Sequence, residues 1–188
     1  ELGLNDPVAV QYFNYIKGIV THGDFGDSYR TGKPVLSEII PRLLTSAKIT
    51  LGAVILGALV GVLLGIISAL RKYTWVDSGV LVVSMFFQSV PAFVIALVLI
   101  MALAVNLHIL PATGIEDWRG YIMPMLCIGL ASVANYTRIT RSSMLETMRE
   151  DYVRTARAKG LGEFLVVMRH AFKNSLIEIV TVGGLQVG

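Results

Sequence analysis

The sequence predicts an all-α membrane protein, and three observations carry that prediction. Of its 188 residues, 54% are hydrophobic and only 15% charged, against roughly 25% charged in an average soluble protein. Uncharged runs long enough to cross a bilayer recur along the chain. The basic residues gather in two stretches that alternation of spans would place on one side of a membrane. Mean hydropathy is +0.67, too much apolar side chain for a soluble interior of this size, so the bilayer is the expected solvent. The net charge of +3 is modest and is read loop by loop; no nucleic-acid partner is expected.

Residues 1–44 mix polar and apolar positions and read as a loop region outside the membrane. Asp6-Pro7 can open a short helix over Val8 to Val20, with proline at a position that tolerates it. Gly23-Asp24, Gly26-Asp27 and Gly32-Lys33-Pro34 are turn signals. The chain starts at Glu1 with no signal-peptide pattern, and its last apolar run, from Asn174, stops at Gly188 after 15 residues. It is read as an internal piece of a longer protein.

From residue 45 to 188 the pattern is that of a transmembrane domain. Lys48 and Arg71 bracket 22 uncharged residues, a first span at about 49–70. Ala53, Gly57, Gly61, Gly65 and Ala69 recur every four residues, a stripe of small side chains that lets another helix backbone approach closely. After the polar break 71–77, 38 residues (78–115) carry no Asp, Glu, Lys or Arg, and a second helix is expected at about 79–105. Pro91 falls inside it and predicts a kink or break. Irregular backbone at membrane depth survives only within protein or beside a water-filled cavity, so Gln88 and Ser89, just before the break, are candidates for lining a path; a packed kink is the simpler reading. A third helix is expected at about 120–143 and a fourth at about 164–188. The polar break after the first span and the 138–173 region hold ten of the 16 Lys and Arg residues, which makes that side cytoplasmic.

Between the last two spans lies the densest charge in the chain, 150–160, EDYVRTARAKG. Thr147 and Glu150 fit a capping box, and Asp151 fits the start of a helix equally well. Arg154, Arg157 and Lys159 follow, and Gly160 suits the left-handed residue that ends a helix. The expected product is a short, abruptly stopped cytoplasmic helix at about 148–160, with Ala156 and Ala158 small enough to let a partner surface close in.

These residues resemble a known family. DYVRTARAKG at 151–160, followed by RHAFKNSLIEIVT at 169–181, resembles the EAA loop of ABC importer permeases of the dipeptide, oligopeptide and nickel group. YTRITRSSMLE at 136–146, LPATG at 110–114 and SVPAF at 89–93 agree, and GDFGDSYRTGKPV at 23–35 resembles the outward loop of the first of the two paired permeases. The resemblance implies a fragment of a six-helix type I ABC importer permease core lacking its first and last helices. It implies a second permease subunit, two ATP-binding cassette subunits and an extracytoplasmic substrate-binding protein as partners. It also implies that Asp151, Tyr152, Arg154, Thr155, Ala156, Arg157, Ala158, Lys159 and Gly160 dock into the ATPase. Glu178 departs from the family pattern, where proline is usual; pairing with Lys173 or snorkelling is expected. Lys48, at the edge of the first span, is expected to snorkel.

Enzymatic signals are missing. Gly32-Lys33 has its nearest glycine, Gly26, one residue out of register for a phosphate-binding loop, and Pro34 replaces the needed hydroxyl. The lone Cys127 and the scattered His22, His108 and His170 make no metal-ligand spacing. No catalysis and no cofactor are expected of this chain. An ion-coupled transporter or channel without an ATPase is the alternative; it calls for charged intramembrane sites, and only Glu178 qualifies.

Overall fold

A computed structural model describes residues 6–187; residues 1–5 of the expected outer region and Gly188 lie outside it. The described residues form helices and turns, with one isolated antiparallel bridge between Asp27 and Pro34. The chain divides into two compact units, one ending at Lys48 and one starting at Ile49.

In the first unit, α1 covers Val8–His22, and Pro7 precedes it with its carbonyl accepting from Val10 and Gln11. Gly23 ends it at φ 65°, the left-handed conformation that costs glycine least. Asp24 then accepts a hydrogen bond from the Gly26 amide at 2.8 Å, an Asx-type turn. No residue of α1 is buried, and Tyr12, Phe13 and Tyr15 are exposed.

Helix α2 runs Val35–Leu70, 36 residues. It begins well before the expected residue 49, and Pro41 lies within it. Glu38, Arg42 and Lys48 argue against a membrane span over its first part, but they do not argue against a helix. Ser37 and Thr45 turn their hydroxyls onto the carbonyls of Pro34 and Pro41, so the opening turns are held locally.

In the second unit, α3 covers Trp75–Ser89 and α4 covers Ala92–Leu99, extended by π-helical turns over Ile100–Asn106. The expected helix 79–105 is therefore two helices. Val90 and Pro91 take extended ψ values of 125° and 138°, and the two segments bend by 99°. Proline supplies no amide and its ring excludes the helical conformation of the residue before it, which is why the chain breaks there.

A short 3-10 turn, Trp118–Tyr121, leads into α5, Ile122–Thr147, and α6 covers Asp151–Ala158. The expected fourth helix is three joined pieces: α7 at Glu163–Leu165, π-helical turns at Val166–Phe172, and α8 at Lys173–Val187. By length and composition two helical stretches suit a membrane crossing, Val35–Leu70 and Trp118–Thr147, with a third if the bent pair counts as one span.

Helices α2 and α5 pack backbone to backbone. A Cβ added at Gly57 would stand 2.5 Å from the Cβ of Ser132. At Gly61 it would stand 2.7 Å from the carbonyl oxygen of Val133, and at Gly65 2.8 Å from that of Thr137. Real Cβ atoms do not approach so closely, so a side chain at any of these three glycines forces the facing helices to shift. Ala69, Met144, Val167 and Ala171 form a buried cluster at the end of the seam, flanked by Leu145, Met148 and Phe172.

Candidate functional site

The candidate site is α6 and the loop that carries it. Helix α5 closes at Thr147, and the backbone turns through Met148 and Arg149 to Glu150, whose ψ of 147° marks it as the residue before the helix. The expected capping box does not form: Glu150 makes no side-chain cap, and the Thr147 hydroxyl instead meets that of Ser175 at 3.2 Å. Asp151 opens the helix and places its charge at the positive end of the dipole. Gly160 has φ 80° and donates its amide to the Arg157 carbonyl. A side chain there would meet nothing within 4 Å, so the glycine answers to backbone conformation and not to space.

Two faces of α6 differ sharply. Val153 and Ala156, three residues apart and so on one side of the helix, are buried against Val166. Ala156 thus faces its own chain. The small side chain expected to leave room for a partner lies packed against Val166. Asp151, Tyr152, Arg154, Thr155, Arg157, Ala158, Lys159 and Gly160 are exposed. Arg157 grips Glu163 as a fork, with contacts of 2.6 and 3.1 Å. The hydrogen bond from Arg157 lowers the Glu163 carboxyl below its ordinary pKa, and the same bond raises that of Arg157. Arg154 makes a longer 3.4 Å contact with Asp151, and the Thr155 hydroxyl caps back onto the Asp151 carbonyl at 2.9 Å. An exposed surface of mixed charge thus stands on an apolar foot.

A second polar region lies along α3 and α5. Gln88 is exposed and its Nε2 donates to Asn135 Oδ1 at 3.4 Å. Ser89 is exposed and returns its hydroxyl to the Met85 carbonyl at 2.9 Å. Asp77 and Arg141, which sequence reasoning left unconnected, form a bidentate ion pair at 2.7 and 2.8 Å. Ser68 Oγ and the Tyr73 amide also donate to the Asp77 carboxylate. An acid at the edge of a long uncharged run was the available signal. Its partner, 64 residues away, carried none. Glu178 is exposed, and neither it nor Lys173 belongs to an ion pair among the described residues, so the expected Lys173 contact is not made. Lys48 is exposed. No cluster of His, Cys, Asp and Glu suited to a metal occurs among the described residues.

Long apolar helices sealed by a glycine seam, with a short polar helix anchored to them by Val153 and Ala156, define a membrane-spanning helical protein. Its family follows from comparison with known proteins. The chain belongs to the family described as binding-protein-dependent transport system inner membrane component, which matches residues 61–188. It is 38% identical over all 188 residues to the glutathione transport system permease protein GsiC of Salmonella choleraesuis (strain SC-B67) and of Salmonella typhi. The same identity holds for the glutathione transport system permease protein GsiC of Escherichia coli (strain K12). The chain spans 61% of the length of these relatives.

Proposed function

We propose that the chain is the membrane-spanning subunit of an ATP-driven importer, forming half of a translocation path for short peptides or related small solutes. In this reading it sits as a multi-pass protein in the cytoplasmic membrane. A second permease subunit supplies the other half of the path, two cytoplasmic ATPases supply the work, and an extracytoplasmic binding protein delivers the solute. ATP is hydrolysed in the partner subunits and not by this chain.

One observation carries the proposal: α6 buries Val153 and Ala156 in its own chain and turns Tyr152, Arg154, Thr155, Arg157, Ala158 and Lys159 outward. A loop helix with no partner has no reason to be stopped by a left-handed glycine and bolted through Val153 and Ala156 to Val166. Closure of the ATPases moves α6, and α5 carries the movement to the path, which passes Gln88 and Ser89 beside the broken span. The glycine seam of Gly57, Gly61 and Gly65 keeps α2 and α5 together during that movement.

The test is co-purification of the full-length parent protein from its native membrane. Thr155→Trp and Arg154→Glu alter the exposed face and leave Val153 and Ala156 in place. An ATPase that accompanies the wild type and is lost from a folded variant supports the reading. A folded wild type with no ATPase after mild cross-linking defeats it, and ion-coupled uptake becomes the next assay.

A further inference from the structure

We propose that Arg138, Asn135 and Gln88 form a carboxylate-binding station on the translocation path, an inference that rests on the reading of Gln88 as path-lining. Asn135 Oδ1 accepts from Gln88 Nε2 and from Arg138 Nη2, each at 3.4 Å. Both contacts are at the long edge of hydrogen bonding, so the donors turn to a ligand at little cost. A carbonyl oxygen has two lone pairs, and both are taken. What remains is a surplus of donors: the other N–H groups of Arg138, the second Gln88 N–H and the Asn135 amide.

The charge is unanswered as well. Arg138 is exposed and belongs to none of the ion pairs among the described residues. Arg141, one turn further along α5, has its carboxylate in Asp77. Arg138 lies nine residues before the end of α5 at Thr147, on the stretch whose basic residues mark the cytoplasmic side. A guanidinium there with no carboxylate of its own is free to meet an anionic solute. A guanidinium reaching only for lipid phosphate has no use for two amides beside it, whereas a carboxylate offers about four acceptor sites and uses all three side chains. Gln88 also sits two residues before the Val90–Pro91 break, where the backbone leaves the helix. The ligand class is thus a small solute with a free carboxylate, such as the C-terminus of a short peptide.

The experiment is ligand-observed NMR on the purified full complex in detergent, titrated with glycylglycine and with glycylglycinamide. Wild type is expected to bind the acid and not the amide. Arg138→Gln and Gln88→Leu are expected to weaken binding about tenfold or more. Asn135→Asp places an acid beside Arg138 and is expected to abolish binding in a folded complex. Equal binding of the amide, or an unchanged titration in Arg138→Gln or Asn135→Asp, overturns the proposal. So does loss of the second permease from Arg138→Gln, because the carboxylate then belongs to that subunit. ATP hydrolysis is read in parallel on the wild type. Its absence from wild type defeats the importer reading but not the station, because the titration uses no ATP.

Discussion

The Asp77 carboxylate and the Arg141 guanidinium meet as a two-pronged pair, joining the first turn of α3 to the last third of α5. The Asp77 side chain is 4% exposed and that of Arg141 19%. Removing one partner leaves the other charge buried and alone, which costs on the order of 3–5 kcal/mol. Asp77→Ala and Arg141→Met are each expected to lower the thermal midpoint of the detergent-solubilised protein by several degrees. The exchange Asp77→Arg with Arg141→Asp is expected to recover part of the loss, less the hydrogen bonds from Ser68 and the Tyr73 amide. Additive damage in the double variant would show that the two charges act independently.

The α2–α5 seam predicts a graded response to the smallest substitution. Gly61→Ala forces a methyl against the Val133 carbonyl and is expected to cost about 1–3 kcal/mol through overpacking. Gly79, in α3, has nothing within 4 Å of an added Cβ, so Gly79→Ala is expected to be neutral or up to ~1 kcal/mol stabilising. Thermal unfolding of both variants against wild type decides the matter.

Gly160 and Gly162 offer a comparison in which space plays no part. An added side chain meets nothing at either, but Gly160 holds φ 80° and Gly162 holds φ −60°. Gly160→Ala is expected to cost about 1–2 kcal/mol; Gly162→Ala is expected to cost nothing. Amide exchange across residues 151–165 measures the difference, with faster exchange in Gly160→Ala alone.

The Arg157–Glu163 fork sets a pH response. The folded pKa of Glu163 is lowered by the bond from Arg157. Its contribution is therefore present above the ordinary carboxyl value of 4.5 and is lost as pH falls through the lower folded value. Glu163 is more than half exposed, so salt screens the pair and the effect on global stability is small. The protection factor over residues 157–165, exchange relative to the intrinsic rate at each pH, is expected to fall in acid or in concentrated salt in wild type. Glu163→Gln is expected to show the lower protection already at neutral pH.

Much of the architecture could be read from residue types alone, because uncharged length, proline and the four-residue glycine spacing each act locally. The all-helical class and the break at Pro91 follow from such signals. So does the short helix ending at Gly160. What escaped depends on distant partners. Thr147 looks like a cap until Ser175 takes its hydroxyl, and Ala156 looks like open space until Val166 fills it. The early start of α2 was hidden by Glu38, Arg42 and Lys48, whose charges speak about solvent and not about helix. The polar trio of Gln88, Asn135 and Arg138 was seen only through Gln88, since the pairing of α3 with α5 is a tertiary fact.

The contact between Thr147 and Ser175 ties the exit of α5 to the first turn of α8, closing into a ring the segment on which α6 is mounted. Mechanically, that ring is a bracket. The segment is pinned at its ends by the two hydroxyls and at its middle by Val153 against Val166. The ends of α5 and α8 are thereby held to each other, so α6 sits on a closed frame and not on a free strap.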